Sequence, residues 1–169
     1  MIIGVTGTTS GIGKEILKLP YDFKTFDRMD GDVNDANLVF QKLGTCDVFI
    51  NNAWDGENQL ILLDYFFKQW EKKDKKIITV GSSVSTYKPS GTGYEDYVMS
   101  KKRLRNLHID IVNLKTTSCK SYLINPGVTD TKLTSARTDK KMTVKNVTDV
   151  IQMVLTSDVY IPEIYFYAK

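Results

Sequence analysis

Tyr97 and Lys101 stand four residues apart. In a helix that spacing puts both side chains on one face, a phenol beside an ammonium. A free phenol titrates near 10 and carries protons poorly at neutral pH. An adjacent positive charge favours the phenolate, lowers that pKa and suits the pair to general acid–base work on an oxygen atom. Tyr165 and Lys169 repeat the spacing, but they fall in a stretch that reads as a strand, where i and i+4 do not meet in this way. Histidine chemistry has little to build on. His108 is the single histidine, lies deep in a long helical stretch and has no Cys or carboxylate cluster around it, so a structural role is expected and no metal site. Cys46 and Cys119 have no metal-like spacing and read as buried free thiols.

A second group of residues is suited to holding a phosphate. Thr6-Gly7-Thr8-Thr9-Ser10-Gly11-Ile12-Gly13 follows a short apolar run and opens a helical one. Its glycines permit a tight turn and let backbone N–H groups approach a pyrophosphate at the positive end of the helix. The spacing is T-G-x-x-x-G-x-G, distinct from the G-x-G-x-x-G of other dinucleotide sites. Asp27 ends the next apolar run, twenty positions after Gly7 (27 − 7 = 20). An acidic residue about 20 positions beyond such a loop bonds the adenosine ribose hydroxyls. Its carboxylate repels a 2′-phosphate and favours NAD, whereas the neighbouring Arg28 is able to pair with that phosphate. The expected cofactor is NAD, with NADP the alternative.

The elements that must position these groups alternate along the chain. Short runs at Ile2–Thr6, Phe23–Phe26, Val48–Asn51, Ile77–Gly81, Ser121–Ile124 and Ile164–Tyr167 are mostly β-branched or aromatic and read as buried strands. Helical stretches lie between them: Gly11–Leu19, Asp35–Leu43, about Glu57–Lys73, about Tyr94–Leu114 and Thr143–Leu155, the last with Thr143 placed to cap it. This alternation predicts one doubly wound α/β domain over residues 1–169, with a mainly parallel sheet and helices on both faces. A net charge of +3 gives no argument for a nucleic-acid or membrane partner. The basic runs Lys72–Lys76 and Lys101–Arg105 read as solvated helix faces. The opening apolar stretch is short for a signal peptide and no run reaches the ~18 residues of a membrane span, so a cytoplasmic protein is expected.

Six motifs in order give the sequence its resemblance to the short-chain dehydrogenase/reductase family, over about Ile2 to Thr131. TGTTSGIG at Thr6–Gly13 resembles that family's cofactor loop. Gly31-Asp32-Val33-Asn34-Asp35 resembles its acidic segment after the third strand. Asn51-Asn52-Ala53 matches its N-N-A-G, with Trp54 in place of the glycine. Ser82-Ser83 ends a strand as the family's active-site serine does, Tyr97-Val98-Met99-Ser100-Lys101 supplies Y-x-x-x-K, and Asn125-Pro126-Gly127 with Thr129 and Thr131 resembles its P-G loop.

The resemblance implies an NAD(P)(H)-dependent oxidoreductase that interconverts an alcohol and a carbonyl, a small-molecule substrate. It implies that Tyr97 is the general acid/base, that Ser83 bonds the substrate oxygen, that Lys101 supports Tyr97 and the nicotinamide ribose, and that Asn58 holds a water. Cofactor contacts are implied for Gly7, Thr9, Ser10, Gly11, Ile12 and Gly13; for Asp27, Arg28, Asp32, Val33, Asn52 and Ala53; and for Pro126, Gly127, Val128 and Thr129, besides Tyr97 and Lys101. Against the family the chain is short, notably in the substrate region of about residues 128–145, and an open, shallow substrate site is expected. Family members pair through two helices. Here these are 57–73 and 94–114, with Phe66, Phe67, Trp70, Leu104, Leu107 and Ile111 as apolar surface for a homodimer or homotetramer. Two rivals stay open: a silent NAD(P)-binding sensor or scaffold, and epimerase or dehydratase chemistry on tightly held cofactor.

Overall fold

In a computed structural model of the chain, which describes residues 1–87, 94–114 and 116–169, the apolar runs form six parallel strands. These are β1 (Ile2–Thr6), β2 (Asp22–Phe26), β3 (Val48–Asn51), β4 (Lys76–Val80), β5 (Lys120–Pro126) and β6 (Glu163–Phe166), in the order β2-β1-β3-β4-β5-β6. The helices are α1 (Gly11–Ile16), α2 (Ala36–Leu43), α3 (Asn58–Trp70), α4 (Glu95–Val112) and α5 (Val144–Thr156). The order reverses between β1 and β3, and in open doubly wound sheets the carboxyl ends of the strands at such a reversal form the ligand crevice.

Strand residues alternate between two cores because successive side chains point to opposite faces. Phe49, Ile77 and Leu123 join α2, α3 and α4 through Leu62, Phe66, Trp70 and Leu104. Val48, Ile50, Ile78, Tyr122 and Ile124 face α1 and α5 through Ile16, Val147 and Ile151. The Phe49 and Phe66 rings stack at 3.8 Å. This packing corrects the expected pairing surface: Phe66, Phe67, Trp70, Leu104 and Ile111 are all buried within the one chain, and Leu107 packs partly against the same core. The five buried side chains are therefore not available to a second copy, whereas Leu107 keeps part of its surface exposed.

Two further expectations change. No strand separates β2 from α2, so Asp32 and Val33 lie in the loop that follows β2 directly. Helix α1 stops at Ile16, short of Leu19. Lys18 and Leu19 donate to carbonyls three residues back, a tightened last turn, and Pro20 disfavours helix at the residue before it. Thr143 caps α5 as expected, accepting from the Asn146 N–H in a reciprocal capping box. Among the described residues no helix is long and apolar enough to cross a membrane.

His108 is buried in α4, with Nδ1 2.9 Å from the Ser121 hydroxyl. Burial pulls its pKa from 6.5 to about 4, so the folded chain holds a neutral ring where the unfolded chain binds a proton. The sign follows: stability from this group is complete above pH 6.5 and is lost as the pH falls through 6.5 toward 4. Urea unfolding of wild type and His108→Gln should show the wild-type advantage shrinking over that interval. An advantage that is constant from pH 7 to 4 contradicts the assignment.

Candidate active site

Because all strands run parallel, the residues that follow β1, β3, β4 and β5 collect at one edge of the sheet. The first of these is the glycine loop. Gly7 and Gly11 hold positive φ (71° and 54°), a conformation that costs other residues strain. Among the described residues, none receives a hydrogen bond from the N–H groups of Thr9, Ser10, Gly11, Ile12 or Gly13. Those donors open the first turn of a helix, where no intrahelical partner exists. The cradle therefore fits the anionic pyrophosphate of a dinucleotide.

The remaining loop contacts are internal. Asn52 Nδ2 donates to the Thr6 and Gly7 carbonyls at 3.1 and 3.0 Å, and the Asn52 and Ala53 N–H groups donate to Thr6 Oγ1 at 3.1 Å. A Cβ on Gly7 would meet Ala53 Cβ at 2.9 Å. A Cβ on Gly13 would lie 1.9 Å from the Gly7 carbonyl oxygen. Gly13 is thus glycine for internal packing, where the sequence suggested approach of a ligand. Asp27 accepts from the Thr8 N–H at 2.6 Å and from the Thr8 hydroxyl, fastening the loop to the end of β2. Each of its oxygens keeps a lone pair for a further donor. Arg28 is exposed in the turn from Asp27 to Asp30, and Asp32 Oδ1 accepts from Asn34 in the next loop.

A cleft of about 890 Å³ continues from the loop. It is lined by Ile12 of the glycine loop, by Pro126, Gly127, Val128 and Thr129 after β5, and by Trp54, Ser82, Ser83 and Tyr97. Tyr97 sits in the first turn of α4, which enters at the carboxyl edge, so the phenol reaches the cleft and Lys101 lies one turn further in. Burial raises the Tyr97 pKa, and a hydrogen bond from Ser82 acts in the opposite direction. The lowering expected from Lys101 is not what this arrangement gives. Lys101 is itself only 3% exposed, and burial draws its own pKa down to about 7. At neutral pH it therefore carries only part of a charge. Nor is Lys101 a solvated surface lysine: its Nζ lies 5.4 Å from the centre of the Tyr97 ring and donates to Gln59 Oε1.

Gln59 is the residue that the sequence did not single out. Its Nε2 donates to the Asn51 and Val80 carbonyls, each at 3.0 Å, which turns Oε1 toward Lys101. The available signal was its position: Gln59 stands three, four and seven residues before Leu62, Leu63 and Phe66, a polar residue on an apolar stripe, and such residues need a buried partner. Asn58, by contrast, is buried at the helix start, where it donates to the Ala53 carbonyl at 2.8 Å and accepts from the Asp55 N–H at 2.7 Å.

Of the two serines that line the cleft, Ser82 lies beside the Tyr97 phenol, and Ser83 is buried at the start of a short 3₁₀ turn, Ser83–Thr86. Asn125 fixes that turn: its Oδ1 accepts from the Ser82 N–H at 3.1 Å and its Nδ2 donates to Glu163 at 3.0 Å. Glu163 in turn holds Arg105 through two bonds of 2.7 and 3.0 Å, binding edge strand β6 to α4.

No protein-family model and no curated protein matches the sequence. Solved structures do match. A short-chain dehydrogenase from Burkholderia cenocepacia in complex with NADP superposes with a TM-score of 0.76 at 17% identity, over 99% of this chain and 88% of that one. A short-chain dehydrogenase/reductase from Vibrio parahaemolyticus gives 0.78 at 14% identity, over 99% of each chain. A 3-ketoacyl-(acyl-carrier-protein) reductase from Brucella melitensis complexed with NADH gives 0.77 at 12%, over 98% and 96%. The chain has the Rossmann-type fold of these enzymes.

Proposed function

We propose that this chain is a short-chain-type oxidoreductase that interconverts an alcohol and a carbonyl with NAD(H) or NADP(H). The observation that carries the reading is a single cleft joining the unpaired N–H groups of the glycine loop to Tyr97, with Ser82 against the phenol and Lys101 beneath it. The free N–H groups of Thr9–Gly13 hold the pyrophosphate, and Asp27 accepts from the adenosine ribose. Asp32 and Val33 would contact the adenine, and Pro126–Thr129, which lines the cleft, would hold the nicotinamide. The bound dinucleotide supplies or accepts the hydride. Ser82 holds the substrate oxygen, and Tyr97 gives or takes its proton. Lys101, oriented by Gln59, lies against the Tyr97 ring and positions the phenol.

The preferred cofactor is NAD(H), because Asp27 meets a 2′-phosphate with like charge. Calorimetric titration with NADH and NADPH tests both statements. Wild type should bind NADH more tightly, and Asp27→Ser should move the ratio toward NADPH by tenfold or more while weakening both through the lost Thr8 contacts. Absence of binding to either removes the proposal; wild-type preference for NADPH reverses the role given to Asp27.

A further inference from the structure

The cleft is also lined by five large side chains: Trp54, Tyr87, Tyr94, Leu133 and Tyr167. These side chains are 40% to 63% exposed, and five large apolar groups left in water around one cavity mark a surface built to be covered. Two of them are held in place by the fold. Tyr167 packs across Gly127, where an added Cβ would meet its ring at 2.9 Å. Trp54 meets the Tyr97 ring edge to face, centres 4.8 Å apart and planes at 88°. The charged residues that line the cleft balance in sign: Arg137 pairs with Asp139 at 2.8 Å, and Asp96 and Lys140 complete the set.

A carbonyl that reaches the Tyr97 hydroxyl therefore lies beside the Trp54 indole, among tyrosine rings, with no net charge around it. We infer that the substrate is an aryl aldehyde or aryl ketone, a carbonyl borne on a flat uncharged ring that Trp54 recognises. Aromatic rings in offset or edge-to-face contact attract beyond simple area burial, which an alkyl group of equal size does not reproduce. In the reductive direction the carbonyl π bond breaks. Its carbon gains the hydride, its oxygen gains the Tyr97 proton, the reduced nicotinamide dinucleotide leaves oxidised, and the Tyr97 phenolate regains a proton from solvent. This rests on the oxidoreductase reading above.

The test separates recognition from turnover. Trp54 and the buried Trp70 are the two tryptophans, so quenching of the exposed one reports the cleft. Acetophenone and benzaldehyde are compared with cyclohexyl methyl ketone and cyclohexanecarbaldehyde, by quenching and by NADH- or NADPH-dependent reduction. The expected result is quenching by the aryl compounds alone, lost in Trp54→Phe, with an aryl-to-alkyl kcat/KM ratio of tenfold or more. That ratio should collapse toward one in Trp54→Gly and recover in Trp54→Phe. Equal reduction of both sets, or a ratio unmoved by Trp54→Gly, overturns the substrate class while the oxidoreductase reading stands. Aryl quenching without reduction of any carbonyl keeps the recognition and removes the reading beneath it. Neither quenching nor reduction overturns the inference.

Discussion

Tyr97→Phe should bind dinucleotide as wild type does and lose turnover by about 10²–10⁴-fold, the usual worth of a positioned general acid or base. The substitution removes one oxygen and keeps the ring, so the edge-to-face contact with Trp54 and the packing over Lys101 both survive. What disappears is the proton and its hydrogen bond with Ser82. Burial holds the phenol in its protonated form, which suits it to donate to a carbonyl oxygen, and bound oxidised cofactor brings the positive charge that the reverse direction needs. The check is steady-state rates beside calorimetric affinity. Undiminished turnover in Tyr97→Phe means that another group carries the proton.

Gly13→Ala is expected to have an effect of similar size from a different cause. The added carbon would sit 1.9 Å from the Gly7 carbonyl oxygen, 2.8 Å from its carbon and 2.7 Å from Asn52 Nδ2. Two of those three atoms are backbone, so the loop must move. Overpacking of this kind costs about 1–3 kcal/mol. The displaced loop also carries the N–H groups assigned to the pyrophosphate, so dinucleotide affinity should fall at least a hundredfold. Gly11→Ala is the control. Its added carbon meets Thr131 Cγ2 at an ordinary 3.5 Å, leaving only the cost of its positive φ, about 1–2 kcal/mol. Thermal unfolding and titration of both variants should rank Gly13→Ala as the more damaging. Wild-type stability and affinity in Gly13→Ala would show that the loop is not packed as described.

The strands were the most legible part of the chain. Ile2–Thr6 and Val48–Asn51 read to the residue, since apolar runs bounded by glycine or asparagine leave little choice of length. Helix α1 was overread because Leu19 is apolar and packs on the core without being helical. The site was legible as motifs and not as contacts. Two adjacent serines look alike in sequence, and the chain leaving β4 brings both to the cleft that Tyr97 lines. Lys101 stands in a basic run that reads as solvated, yet the helix face it occupies turns inward onto Gln59, forty-two residues away. Asn58 and Gln59 are neighbours of similar chemistry, and their roles separate only once α3 is placed against β3 and β4. The apolar residues of α3 and α4 gave no means of telling core from interface, because both demand the same side chains.

The central claim is that a hydride and the Tyr97 proton meet on one substrate in this cleft. It is tested most directly by supplying NADH carrying deuterium at both C4 positions, with a carbonyl the protein reduces, and weighing the product alcohol by mass spectrometry. The account predicts one deuterium on the carbinol carbon in wild type and only a trace of that product from Tyr97→Phe over the same time. Bound cofactor and bound carbonyl with no deuterium transferred, or transfer from Tyr97→Phe at the wild-type rate, contradicts it.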